Sequence, residues 1–144
     1  MALTRKFLSA LGIEAEKIDE KRHAVYDLYH SMLRPLAEAG FIEQPYVPEY
    51  ADHNAHMYFI KMPDLEKRTA LIRYLREKGV MSVFHYIPLH SSTAGMKFGR
   101  FVGEDVYTTK ESERLMRLPM FYNLPMEDAR YVAECILAYP EFRA

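Results

Sequence analysis

The chain of 144 residues has one cysteine, a net charge of only −1, and no apolar run near membrane-spanning length. A lone thiol at Cys135 excludes an internal disulfide and suits a reducing compartment. Its setting, Val132-Ala133-Glu134-Cys135-Ile136-Leu137, has helical spacing and points to a buried, inert side chain. Spanning a bilayer takes about 20 consecutive apolar residues, and no segment approaches that. The first residues, Met1 to Leu8, carry two basic side chains but no long apolar region or cleavage signal. The expectation is a cytoplasmic protein. Internal repeats and low-complexity tracts are also missing. Basic residues are interleaved with acids, as in Glu66-Lys67-Arg68 and Arg73–Lys78, which describes a solvated helix face. Nothing here calls for nucleic acid or an anionic membrane as a partner.

What remains is an ordinary folded composition, 49% apolar and 27% charged, in a length that suits one domain with a single core. Apolar residues recur at steps of four and three through Leu11, Ala15, Ile18, Val25, Tyr29, Met32 and Leu36, with Arg22 in one slot. This spacing predicts a long helix over 13–39, with Pro35 kinking or ending its regular part and Gly40 closing it. Residues 41–52 contain Pro45 and Pro48 and read as a connection. His56–Met62, rich in aromatic and β-branched residues, predicts a strand. Asp64 is the expected N-cap of a helix through Lys78, with Leu65, Ile72 and Leu75 inward and Gly79 as its stop. Val80–Ile87 predicts a second strand ended by Pro88.

Gly95, Gly99 and Gly103 punctuate a stretch that reads as irregular. Thr108 and Glu111 have the spacing of a capping box for a short helix to Leu118, ended by Pro119. A last helix is expected from Pro125 to Tyr139, with Ala129, Val132, Ala133, Ile136 and Leu137 inward. The expected class is α+β: a small, mostly antiparallel sheet of two to three strands covered by helices. Two strands alone are marginal, so a third is sought in Phe41–Val47 or Pro119–Asn123.

Four of the six histidines fall in two segments, His53-Asn54-Ala55-His56 and His85-Tyr86-Ile87-Pro88-Leu89-His90. Imidazoles held at strand ends titrate near neutrality and suit a reaction site. As zinc ligands they are poorly spaced, because residues three apart on an extended segment face opposite ways. His53 and His90 read best as local packing groups, whereas His56 and His85 are better placed for function. The loop Gly95–Gly103 matches neither the P-loop nor the dinucleotide fingerprint, although Lys97 and Arg100 are available to meet a diphosphate. Lys61 and Lys97 are the lysines nearest the histidines, and neither has an evident acidic partner or phosphate cup. Arg117-Leu118-Pro119 reads as a structural turn.

The two histidine segments, Gly103-Glu104-Asp105-Val106-Tyr107-Thr108-Thr109-Lys110-Glu111-Ser112-Glu113-Arg114-Leu115, and Arg117-Leu118-Pro119-Met120-Phe121-Tyr122-Asn123-Leu124 together resemble the C-terminal part of the DegT-type sugar-nucleotide aminotransferases. The resemblance runs from about Ile13 onward. It implies the small domain of a fold-type I aminotransferase that uses pyridoxal phosphate (PLP), with the large PLP-lysine domain absent from this chain. The parent activity it implies is transfer of an amino group from glutamate to a TDP-4-keto-6-deoxyhexose, and the chain alone is expected to be inactive. It further implies that His85, Tyr86, His56, Asn54, Lys97 and Arg100 meet the sugar nucleotide. His85 would be an auxiliary group beside a catalytic lysine located elsewhere, so no covalent PLP is expected here. The expected partners are the large domain or a second copy. A free-standing binding or regulatory module of the same descent is the alternative. Cut from its partner, the chain is expected to expose the stripe of Leu11, Ile18, Val25 and Met32 and to self-associate through it.

Overall fold

The computed structural model describes Ala10, Gly12 and residues 15–143. Helix α1 spans Ala15–Glu38. It is followed by β1 (Tyr58–Lys61), α2 (Leu65–Glu77) and β2 (Val83–Phe84). Then come α3 (Thr93–Phe98), α4 (Thr108–Arg114), β3 (Leu115–Leu118) and α5 (Met126–Leu137). No described helix is long and apolar enough to cross a membrane.

The stripe of α1 buries Val25, Tyr29 and Leu36, together with Tyr26 and Leu33, which the sequence reading left out. Pro35 lies inside the helix, which continues three residues beyond it. The stripe is covered within the chain: α1 packs along α5, and Met32 is partly buried against the core. The expected open patch is therefore wrong for Val25 and Met32, and Leu11 lies outside the described residues. The C-terminal helix supplies the cover that was sought in another molecule. Tyr29 anchors the packing by donating its hydroxyl to the carbonyl of Pro119 at 2.8 Å.

Asp64 caps α2 as expected, accepting the amide of Lys67 at 2.8 Å. At the other end Gly79 adopts φ +76, so that Val80 N–H reaches Leu75 O and Gly79 N–H reaches Arg76 O. That pairing is a Schellman cap, and its apolar partners Leu75 and Val80 are both buried. Leu71 and Leu75 form the inner face of α2, while Leu65 is exposed rather than inward. Being the first residue of the helix, Leu65 precedes the turn that meets the sheet.

The third strand is neither of the segments expected. Leu115–Leu118, read as the end of a helix, is the central strand of an antiparallel sheet ordered β1-β3-β2. Tyr58 pairs with Leu118 and Lys61 with Leu115 on one side; Val83 pairs with Arg117 on the other. Leu, Met and Arg favour helix locally, but two flanking strands satisfy this backbone on both edges, and tertiary pairing overrides propensity. Only Val83–Phe84 of the longer expected second strand pairs. Of Phe41–Val47, only Glu43 adds a single bridge, to Lys61. The sheet's inner face (Tyr58, Ile60, Met116, Leu118) packs with Leu71, Ala129 and Ile136 in one core.

The glycine-rich stretch is also more regular than expected, since α3 lies within it, capped by Ser92, whose hydroxyl accepts the amide of Gly95. The capping box at α4 does not form. The N-cap position is Tyr107, and Asp105 instead accepts the amide of Thr109 at 3.2 Å. Glu111 is engaged elsewhere, by Lys61 and Arg114.

Candidate functional site

Side chains alternate across a strand, so the register fixes two faces. With Tyr58, Ile60, Met116 and Leu118 turned into the core, Phe59, Lys61, Leu115 and Arg117 stand on the outer face and are only partly covered. Val83 sits opposite Arg117 and joins them. His85 follows one residue past β2. Its pKa lies below the usual histidine value, first because burial disfavours the imidazolium and then because Arg117 and His56 add positive charge. Burial and two neighbouring basic groups thus favour the neutral ring. Buried Nδ1 of His85 and Nε of Arg117 have no hydrogen-bond partner among the described residues.

Beside His85 opens a cleft of about 590 Å³, lined by His85, Tyr86, Pro88, Glu111, Ser112 and Leu115 among others, with Arg117 not among its lining residues. Ser112 fixes its wall by donating a 2.6 Å hydrogen bond to the carbonyl of Tyr86. The rings of His85 and Tyr86 meet edge to face at 4.3 Å. A second cleft of about 600 Å³ shares Leu89 and Thr108 with the first and is lined further by His90, Phe98, Arg100 and Phe101. His90 Nε2 lies 2.9 Å from Asp105 Oδ2, and its ring packs on Phe101 at 4.5 Å. Asp105 also accepts the Thr109 hydroxyl at 2.5 Å. Gly95 belongs to this wall for steric reasons, since a Cβ there would lie 1.6 Å from the carbonyl oxygen of Leu89.

The expected site residues divide into three groups. His85 and Tyr86 line the first cleft, and Arg100 the second. Asn54 and His56 stand at the edge of the sheet: Asn54 Oδ1 accepts the amide of His56 at 3.3 Å and lies 3.0 Å from its Nδ1. Between them Ala55 is buried with φ 45, a left-handed conformation rare for a residue with a side chain and typical of places where geometry is held for function. Lys97 is not among the lining residues of either cleft; its ammonium lies 5.1 Å from the ring of Phe98 on α3. His53 and His90 pack locally, His53 against His23 and Tyr26. Among the described residues no group of three or more His, Cys, Asp or Glu side chains is placed to share a metal ion.

Arg117 was missed, because Arg117-Leu118-Pro119 was read as a turn. The period-two pattern Leu115-Met116-Arg117-Leu118, ended by proline, was the available signal. A strand in that place puts the arginine opposite the core.

A protein-family model covering the DegT/DnrJ/EryC1/StrS aminotransferases matches residues 8–137. The chain belongs to this aminotransferase family. A pleiotropic regulatory protein of Geobacillus stearothermophilus is 32% identical over 88 residues, which is 60% of this chain and 23% of that protein. Among solved structures, the aminotransferase TlmJ of Streptoalloteichus hindustanus matches with TM-score 0.70 at 23% identity, over 83% of this chain and 30% of that one. NtdA of Bacillus subtilis, with bound PMP cofactor, matches with TM-score 0.70 at 27% identity, over 83% and 27% respectively. The chain therefore spans less than a third of each of these relatives.

Membership in the DegT family raises the question of where PLP would be held. A Schiff-base lysine needs a desolvated, uncharged amine. Lys61 Nζ instead lies 2.5 Å from Glu111 and 3.8 Å from Glu43, and Lys97 stands on an exposed helix. Asp105, the carboxylate beside His90, is already held by Thr109 and His90. These settings do not fit a covalent PLP site.

Proposed function

We propose that residues 1–144 form the C-terminal small domain of a PLP-dependent sugar-nucleotide aminotransferase, inactive without the large domain that carries the lysine. Its motifs resemble those of TDP-4-oxo-6-deoxy-D-glucose transaminase. On this reading the assembled enzyme is a cytoplasmic dimer that moves an amino group from glutamate to the 4-keto carbon of a TDP-6-deoxyhexose, for surface glycans such as lipopolysaccharide. The observation that carries the reading is the open cleft at the outer sheet face, where the structure brings together His85 and Tyr86, two of the residues expected to meet the sugar nucleotide. Around it Tyr86, Leu89, Phe98, Val102 and Tyr107 are each at least 68% exposed, an apolar collar suited to cover by the large domain. The DegT-family match and the 27–30% span of the solved relatives support the same division.

The test supplies PLP, glutamate and TDP-4-keto-6-deoxyglucose and follows release of 2-oxoglutarate. No turnover by the chain alone, and turnover once a DegT-family PLP-lysine domain is added in trans, is the expected result. Turnover by the chain alone contradicts it. The similarity to a pleiotropic regulatory protein of Geobacillus stearothermophilus favours a second reading, a regulatory or binding module without catalysis. Tight binding of the sugar nucleotide without stimulation in trans would select that one.

A further inference from the structure

We infer that the recess between α1 and the loop ahead of β1 is a separate binding site, which takes an uncharged planar heterocycle with a cyclic-amide edge, such as a nucleobase. It goes beyond the functional reading above, because none of its lining residues lines either of the two clefts.

The recess holds about 390 Å³ and is lined by Tyr26 and His30 of α1, by Gln44, Pro45 and Tyr46 of the loop, and by His53 among others. Its polar groups are set by a hydrogen-bond chain that runs into the core. Gln44 Nε2 donates to the His30 carbonyl and to the Tyr58 hydroxyl, both at 2.9 Å. Both amide hydrogens are thereby used, and the side-chain oxygen of Gln44 is left as an acceptor. Tyr58 is fully buried, so its hydroxyl, having accepted from Gln44, must place its own hydrogen. The acceptor within reach is His30 Nδ1, at 3.5 Å. In the neutral ring this assigns the proton to His30 Nε2, which has no partner among the described residues. The recess therefore offers one N–H donor and one amide oxygen, the complement of the C=O and N–H of a cyclic amide. Its walls are aromatic. Tyr46 is 85% exposed at the rim, and the His53 ring is steadied 4.8 Å from Tyr26 and 4.7 Å from His23. Such faces stack the flat rings of bases. No Lys, Arg, Asp or Glu lines the recess. Burial, and after it the Asp27 carboxylate, raises the pKa of the Tyr26 hydroxyl. A negative field at that wall selects an uncharged ring over a phosphate.

The test is a titration of the 144-residue chain with uridine, 3-methyluridine and methyl glucoside, followed by the histidine ring signals in NMR. Uridine should give a saturable shift at His30 and His53 and leave the His90 signals in place. The analogue 3-methyluridine lacks the N–H that Gln44 would accept, and should bind about tenfold more weakly. Methyl glucoside should not compete. Tyr46→Ala removes an exposed side chain that the fold does not need, and should weaken uridine binding about fivefold or more. His30→Phe keeps a ring without its donor and should weaken binding by about tenfold. If that variant does not fold, Tyr46→Ala and the methylated analogue carry the test. No saturable shift with uridine, equal affinity for 3-methyluridine, competition by methyl glucoside, or unchanged affinity in Tyr46→Ala would overturn the inference. Neither PLP nor a large domain enters this titration, so its failure is distinct from failure of the turnover experiment in trans.

Discussion

Lys61 Nζ lies 2.5 Å from Glu111 Oε2, tying the last residue of β1 to α4. Glu43 and Arg114 complete the cluster, and Arg114 Nε donates to the carbonyl of Met62 at 2.8 Å. Lys61→Met removes one member of a partly exposed network. The expected cost is about 1 kcal/mol, read as a lowered Tm, because water and salt screen such pairs. Borohydride labelling by PLP should not change. An unchanged Tm together with lost labelling would reverse the role assigned to Lys61.

Gly95→Ala places a methyl group where the Leu89 carbonyl already sits. Overpacking of this kind costs roughly 1–3 kcal/mol. No residue of α3 is buried in the core, so the loss should be local. Hydrogen exchange is expected to rise over 89–98 while β1, β3 and α5 keep their protection. Uniform loss of protection would contradict this.

Tyr29 is fully buried and its hydroxyl satisfies the Pro119 carbonyl. Tyr29→Phe leaves that acceptor without its partner, at about 1–2 kcal/mol. Chemical denaturation reads the difference. A stability equal to wild type would mean that the carbonyl finds another donor.

Acid should loosen the site in two steps. His85 has a folded pKa below its unfolded value of about 6.5, so its contribution is present above that pH and is lost as pH falls through 6.5 toward the folded value. Asp105 is held below the usual carboxylate range, chiefly by the Thr109 hydroxyl and also by His90. Glu111 is lowered chiefly by Lys61. Their contributions are present above about pH 4 and vanish as pH falls further, through their folded values. Asp105→Asn should remove the part of the lower step seen at residues 89–109, and His85→Gln the upper step. Stability that rises on acidification from pH 7 to 5 would contradict the assignment.

The elements legible in sequence were those whose local signals agree with their packing: the stripe of α1, the Asp64 and Gly79 caps of α2, the aromatic strand β1 and the inward face of α5. Segment 108–118 was misread, because Leu, Met and Arg favour a helix and only two distant strands turn its second half into β3. That error concealed Arg117 with it. His85 and Tyr86 were found through their motif, yet neither spacing nor composition shows that His85 and Arg117 lack partners; that depends on which carboxylates Lys61 and Arg114 occupy. The helix in the glycine-rich stretch was hidden for a similar reason, since Gly95 serves a close backbone approach there rather than a loop. The self-association face was misplaced because α5, remote in sequence, covers α1.

The most direct measurement is native mass spectrometry of the purified chain after incubation with PLP and borohydride. The account predicts no stoichiometric adduct at any single lysine, because Lys61 is paired with carboxylates and Lys97, on an exposed helix, is not among the lining residues of either cleft. One full adduct at Lys61 or Lys97 would show that the chain holds its own coenzyme site, and would contradict a small domain that borrows its lysine.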